Sequence, residues 1–425
     1  MPAASILIKP ASANCNMDCR YCFYKCLSSN RAEYSKGFMS EETLEQLVKG
    51  AIDYADGFLT FAFQGGEPTL CGIEFYRKVL ALQKKYNTKQ LEIENTIQTN
   101  GLLIDEQWAK FLSENHFLVG LSLDGPRKIH DRYRVGYDGG GTFFDAMHAA
   151  ELFDRYRVDY NILCVVTEES AKHAAAIYHF FRKHDMTFLQ FIPCMDEEER
   201  SRRVCDDERE NSRNYDSSGN RYTCDVQGNG KGNLRRNYDD VRNVGNPAAG
   251  CTSAAVTAPS YGKFLCELFD LWYEDFSHGA QVDIRMFSNL AQLAAGYPAE
   301  ECGMNGCCSC YFVTEGNGDV YPCDFYCSDE WRLGTVADSF DELVQCERAK
   351  RFVETSLQRD ARCRDCAYFS LCRGGCRRWR EQAGIKKPGR NRLCEAYRML
   401  FEHAGERIRI LGKIISERYG KGVSE

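Results

Sequence analysis

Between residues 5 and 192, short apolar runs alternate with helical stretches. This alternation constrains the fold more than any other feature. The runs fall at 5–8, 59–63, 91–98, 117–123, 160–166 and 188–192. After Ser40, placed as a helix N-cap, and the acidic pair Glu41 and Glu42, apolar residues recur at helical spacing: Leu44, Leu47, Val48, Ala51 and Ile52. Further helices are expected at 73–86, 105–116, 142–156 and 169–184. Six strands alternating with five helices predict a parallel sheet with helices outside it. In such sheets ligands bind beyond the carboxyl ends of the strands. The polar and glycine-rich turns fall at those ends: the loop from Cys15 to Cys22, then 65–68, 99–101 and 122–126.

Cys15, Cys19 and Cys22 have the spacing C-x3-C-x2-C, with Tyr21, Phe23 and Tyr24 among and after them. Three thiolates are one short of a filled four-ligand cluster and leave one iron open to bind and activate a small molecule. A structural zinc site is the other reading. The whole chain carries 23 cysteines in 425 residues. In an exported protein these would predict disulfides. The opening MPAASILIKP, however, has no charged segment followed by a long apolar core, so no export signal is expected. Close cysteine spacings then favour metal ligands in a reducing, anaerobic cytoplasm. The length predicts two or three domains. A formal net charge of −7 argues against nucleic acid as the partner. No apolar run is long enough for a transmembrane helix, so no membrane partner is expected.

Residues 196–258 break the pattern. They are rich in Asp, Glu, Arg, Asn and Gly, and read as a polar, flexible insertion that could contact a protein substrate. The run Gly228-Asn229-Gly230-Lys231-Gly232 follows no strand and opens no apolar helix, so it is not read as a phosphate loop. Residues 259–301 read as a helical linker with Phe264, Leu265, Leu268, Phe269 and Trp272 in the core. Segments 311–314 and 319–321 flank a turn and read as a β-hairpin. Twelve of the 23 cysteines lie between Cys302 and Cys394. The clearest run is Cys363-x2-Cys366-x5-Cys372-x3-Cys376, followed by Cys394. These thiols fit one or two further four-cysteine sites, of zinc or iron–sulfur type. The expected divisions are therefore 1–195, 196–258, 259–301, 302–394 and a terminal helix in 395–425.

Taken together, the triplet and the later cysteines resemble radical S-adenosylmethionine (SAM) enzymes that carry a SPASM domain. The chain is most similar to the anaerobic sulfatase-maturating enzymes. The resemblance runs through Leu7-Ile8-Lys9-Pro10-Ala11-Ser12 and through 15–24, 61–69, 98–101, 119–126, 161–167, 189–192, 271–276, 302–306, 321–326 and 374–378. It implies a partial (β/α)6 barrel followed by a SPASM domain, with SAM and three [4Fe–4S] clusters. Cys15, Cys19 and Cys22 would hold the first cluster. Cys302, Cys308, Cys323 and Cys376 would hold the second, with Cys307 a one-residue alternative to Cys308. Cys363, Cys366, Cys372 and Cys394 would hold the third. Cys310, Cys327 and Cys346 have no ligand role in this reading. Tyr21, Gly65, Gly66, Glu67, Ser122, Arg134 and Met195 match SAM-contacting positions, Met195 standing where relatives tend to carry Leu.

The resemblance makes Asp324 the base that deprotonates the substrate, and places Tyr24 and Gln64 near the substrate peptide, where either could equally be structural. The implied reaction is oxidation of Cys or Ser, in a Cys/Ser-x-Pro-x-Arg segment of a sulfatase, to Cα-formylglycine. A 5′-deoxyadenosyl radical would take the β-hydrogen, and a flavodoxin or ferredoxin would supply electrons. Two other functions are compatible with these residues: a maturase that crosslinks a ribosomal peptide, and a non-catalytic zinc-binding module.

Overall fold

The computed structural model describes residues 4–29, 31–195, 254–381 and 389–420. Most of the 196–258 insertion lies outside these residues, including the run from Gly228 to Gly232 and Cys205, Cys224 and Cys251. Six strands form the expected parallel sheet: β1 (Ala4–Ile8), β2 (Phe58–Phe63), β3 (Glu92–Thr99), β4 (Leu118–Ser122), β5 (Tyr160–Val166) and β6 (Phe188–Pro193). They lie side by side in sequence order, every pair parallel. Leu59, Phe61 and Phe63 of β2 share one buried face, as the two-residue period of a strand dictates. The helices pack outside. Ser40 caps the helix Glu41–Tyr54 by accepting the Thr43 N–H, and Asp105 caps Glu106–Glu114 through the Trp108 N–H.

The sheet extends beyond these six strands at both edges. Within the expected linker, β7 (Asp283–Ile284) pairs with β6. At the other edge β8 (Val313–Thr314) pairs in parallel with β1, Leu7 opposite Val313 and Ile8 opposite Thr314. β9 (Asp319–Tyr321) and β10 (Gly334–Thr335) follow antiparallel. The hairpin expected within the C-terminal domain therefore continues the barrel sheet. The long helix Cys394–Tyr419 closes the far side, with Leu400, Phe401, Ala404, Ile408 and Leu411 buried.

The β1–β8 pairing sets Lys9, just past β1, beside Glu315, just past β8. Both are 1% exposed. Glu315 Oε1 receives the Arg31 guanidinium at 2.8 Å and stands 3.6 Å from Lys9 Nζ. The Ser12 hydroxyl donates to Glu315 Oε2 at 2.7 Å. Burial alone would raise the Glu315 pKa, but Lys9 and Arg31 hold it below the usual carboxylate value.

Removing one partner of a buried ion pair strands the other charge. Glu315→Ala is therefore expected to lower stability by about 3–5 kcal/mol in urea denaturation. Because the folded pKa is depressed, this stabilisation is full above the unfolded value of 4.5 and is lost as pH falls through the folded value. Glu315→Gln should accordingly flatten the acid limb of the stability curve.

Candidate active site

The carboxyl ends of β1 to β4 converge on the cysteine loop. The β2 turn approaches it most closely. Gly65 and Gly66 both have positive φ, 82° and 50°. A Cβ on Gly66 would collide with the carbonyl oxygen of Asn14 and lie 2.8 Å from that of Ser12. The Glu67 N–H donates to Asn14 O at 2.8 Å, tying turn to loop. The buried Glu67 carboxylate accepts four bonds: from Thr69 N at 3.1 Å, Thr69 Oγ1 at 2.6 Å, Thr99 Oγ1 at 2.9 Å and Asn100 N at 2.8 Å. Burial raises its pKa despite these donors. The side chain of Glu67 is thus engaged within the protein, joining the β2 and β3 turns. Asn100 Nδ2 in turn reaches Asn16 Oδ1 at 2.7 Å. Burial pushes the Cys15 thiol pKa up, and that of Cys19 up to about 11.

A second network lies at the end of β4. Asp124 Oδ2 accepts from the Tyr21 hydroxyl and stands 3.1 Å from Arg134 Nε; Oδ1 accepts the Val165 N–H at 2.9 Å. The Arg134 guanidinium lies 5.4 Å from the centre of the Tyr21 ring. Behind them, buried His130 Nδ1 accepts the Asp124 N–H at 3.3 Å. Its Nε2 then donates to Thr142 Oγ1 at 3.1 Å, and the Thr142 hydroxyl donates to Arg134 O at 3.1 Å. Burial lowers the His130 pKa to about 4, so the neutral ring acts as a strut between Asp124 and Arg134. Ser122 ends β4 and Met195 follows β6, both partly exposed.

The third group centres on Asp324, which is 5% exposed. Its Oδ1 meets Lys9 Nζ at 2.8 Å. Its Oδ2 accepts from the Tyr24 hydroxyl at 2.7 Å and from Gln64 Nε2 at 3.1 Å. Tyr24 follows the last cysteine of the triplet, Gln64 ends β2, and Lys9 ends β1. The structure thus brings two strand-end residues and one from the helix after the cysteine loop onto a carboxyl group more than 250 residues later in the chain. Lys9 also lies 3.4 Å from Cys327 Sγ and 4.5 Å from the Tyr24 ring centre. Burial, then Asp324, raises the Tyr24 pKa, so its hydroxyl stays a donor.

The later cysteines separate into two groups. Burial and then Cys376 push the Cys302 and Cys308 thiols up to about 11, and Cys376 and Cys323 also interact. Burial raises the Cys363 and Cys372 thiols too, with Cys394 and Cys366 adding to the rise of each. Cys308 faces Cys302 and Cys376 and its N–H donates to Ser356 Oγ at 2.8 Å, whereas Cys307 is exposed. The eleven cysteines of these three groups are free thiols. One group of three and two of four, all unbridged and all partly buried except the exposed Cys302, form a donor set that fits three four-iron clusters.

A parallel partial barrel with such a triplet beyond its first strand defines a radical SAM enzyme, extended here by an iron–sulfur domain. Residues 10–181 match the model of the radical SAM superfamily, and residues 306–367 that of an iron-sulfur cluster-binding domain, SPASM. The cysteine-type anaerobic sulfatase-maturating enzyme of Clostridium perfringens (strain 13 / Type A) is 44% identical over 96% of this chain and 98% of its own. The serine-type enzyme of Bacteroides thetaiotaomicron is 29% identical over 94% and 88%. Among solved structures, native anSMEcpe with bound AdoMet and Cp18Cys peptide aligns with a TM-score of 0.81 and 41% identity, covering 97% of this chain and 100% of that one. The chain belongs to the anaerobic sulfatase-maturating enzymes.

Several residues of these networks carry no clear sequence signal. Lys9 looks like a loop residue after a strand. Its one hint is a charge set between an apolar run and Pro10. Asp124 lies in the 122–126 turn with no role of its own read from sequence, and His130 follows it. Cys327, which has no ligand role in the sequence reading, lies against Lys9. For Gly66→Ala, backbone strain of about 1–3 kcal/mol and the clash with Asn14 should weaken SAM binding roughly ten-fold or more. Equilibrium dialysis of the reconstituted protein checks this.

Proposed function

We propose that this chain oxidises the cysteine of a Cys-x-Pro-x-Arg segment in a sulfatase to Cα-formylglycine. The observation that carries the reading is the convergence of Lys9, Tyr24 and Gln64 on Asp324, next in sequence to Cys323. Cysteine is favoured over serine because the relatives at 40% identity or more are cysteine-type, and the serine-type relatives stand at 29–30%. The same relatives favour formylglycine formation over a peptide crosslink or a zinc module.

Cys15, Cys19 and Cys22 would hold the cluster that leaves one iron open. Cys302, Cys308, Cys323 and Cys376 would hold a second cluster, and Cys363, Cys366, Cys372 and Cys394 a third. Tyr21, Gly65, Gly66, Ser122, Arg134 and Met195, with the backbone at Glu67, would line the SAM site. When bound, SAM and the clusters supply hydrogen-atom abstraction and electron removal.

The protein's own residues supply position and a proton acceptor. Tyr24 and Gln64, both partly exposed, form the face of the Asp324 site that a peptide can reach. Asp324 takes the thiol proton, while Lys9 holds the opposite oxygen in place. The thiol side chain loses one hydrogen atom, one proton and one electron, giving a thioaldehyde. Water then replaces sulfur, releasing hydrogen sulfide and leaving the aldehyde. A small flavodoxin or ferredoxin is the proposed reductant, and a reducing cytoplasm the setting. Among the described residues no helix is long and apolar enough to cross a membrane.

The test is anaerobic turnover with a Cys-x-Pro-x-Arg peptide, read by mass spectrometry and hydrazide capture. The expected product is an aldehyde without sulfur. General-base removal typically costs about 100-fold or more. Asp324→Asn should therefore still yield 5′-deoxyadenosine while aldehyde falls by that factor. Undiminished aldehyde in this variant, or a product that keeps its sulfur, contradicts the proposal.

A further inference from the structure

Two buried arginines follow Cys376, and they differ in how their charge is met. Arg377 pairs with Glu381 Oε1 at 2.5 Å, donates to Phe352 O at 2.8 Å, and lies about 5 Å from the Tyr326, Trp331 and Phe352 rings. Arg380 is 2% exposed and, among the described residues, has no carboxylate partner. Its two terminal nitrogens donate to Gln358 O at 2.6 Å and Ser356 O at 2.8 Å. Its Nε has no hydrogen-bond partner among the described residues. A buried cation met only by carbonyl dipoles is costly.

The groups facing Arg380 whose ionised forms favour its charge are two thiols and a phenol. Cys308 interacts with it most strongly, and among these groups Cys376 comes next, ahead of Tyr326; Cys363 of the other group feels it more weakly. Arg359 also faces it and opposes its charge, second only to burial and Cys308 in size, and that guanidinium donates to Gly306 O. Ser356 links the two sides, its carbonyl accepting from Arg380 and its hydroxyl from Cys308 N.

We infer that Arg380 is the buried counter-charge of the iron–sulfur cluster at Cys302, Cys308, Cys323 and Cys376, and that it raises the reduction potential of that cluster. The inference rests on the ligand reading given above. Gaining an electron adds one negative charge to a cluster, and a fixed cation in a low-dielectric surrounding stabilises the charged form. The thiol oxidation releases one electron that must leave the site. A cluster beside Asp324 with a cation behind it is poised to receive that electron. Arg380 thus acts on potential without touching the substrate.

The experiment is an EPR-monitored redox titration of the full chain with Cys15, Cys19 and Cys22 replaced by alanine, so that only the later clusters report. Arg380→Gln should shift one midpoint potential to a more negative value, and Arg380→Lys should restore most of the shift. Unmoved potentials in Arg380→Gln, with about eight irons bound, overturn the inference alone. Fewer than about eight irons with Arg380 intact overturns the ligand reading and the inference with it. Loss of iron in Arg380→Gln that Arg380→Lys retains supports the inference, since charge is then what the cluster needs. Loss in both variants overturns it.

Discussion

The buried ammonium of Lys9 joins the two halves of this protein. Burial alone would strip its proton, but Asp324 first, then Cys327 and Glu315, raise its pKa and keep it charged. Its stem also passes the β2 turn so closely that a Cβ on Gly65 would lie 2.5 Å from Lys9 Cγ. One side chain thus contacts the SAM-proposed turn, the proposed base and the hairpin that carries Glu315. The β1–β8 pairing supplies the geometry and the ion pairs supply the energy. Neither half could bury its share of these charges alone.

A seven-residue helix sets the distance between the two chemical centres. Phe23–Ser29 begins directly after Cys22. Tyr21, just before it, turns to Asp124, and Tyr24, within it, turns to Asp324. Phe23 packs 5.3 Å from the Phe325 ring centre, and the Arg378 guanidinium covers both rings at 5.2 and 4.2 Å. The cysteine loop and the loop carrying Asp324 are therefore held as one body of aromatic and charged contacts. This rigidity suits a reaction in which hydrogen atom, proton and electron leave the same side chain in different directions.

Much of this was legible before any coordinates. The strands at 59–63 and 160–166 announced themselves by apolar runs between polar turns, and Ser40 by its place before Glu41 and Glu42. The two- and three-residue strands β8 and β9 were legible as a hairpin, but not their pairing with β1. A strand that short has no period from which to read its neighbour. Glu67 shows another limit. Motif position links it to the cofactor, yet its carboxylate is engaged by Thr69, Thr99 and Asn100, groups that meet only in the fold. Spacing could not separate Cys307 from Cys308; the thiols of Cys302 and Cys376 that face Cys308 in the fold support it as the proposed ligand. The roles of Lys9, His130 and Arg380 were not legible, because each acts through partners distant in sequence or on the backbone.

In the proposed reaction, one cysteine side chain gives its hydrogen atom at the triplet and its proton at Asp324. The most direct measurement uses a substrate peptide deuterated at the cysteine Cβ, with both products analysed by mass spectrometry under anaerobic conditions. One deuterium is expected in 5′-deoxyadenosine for each peptide aldehyde formed. Aldehyde formed without deuterium transfer, or deuterium transfer into a product that retains sulfur, would contradict it.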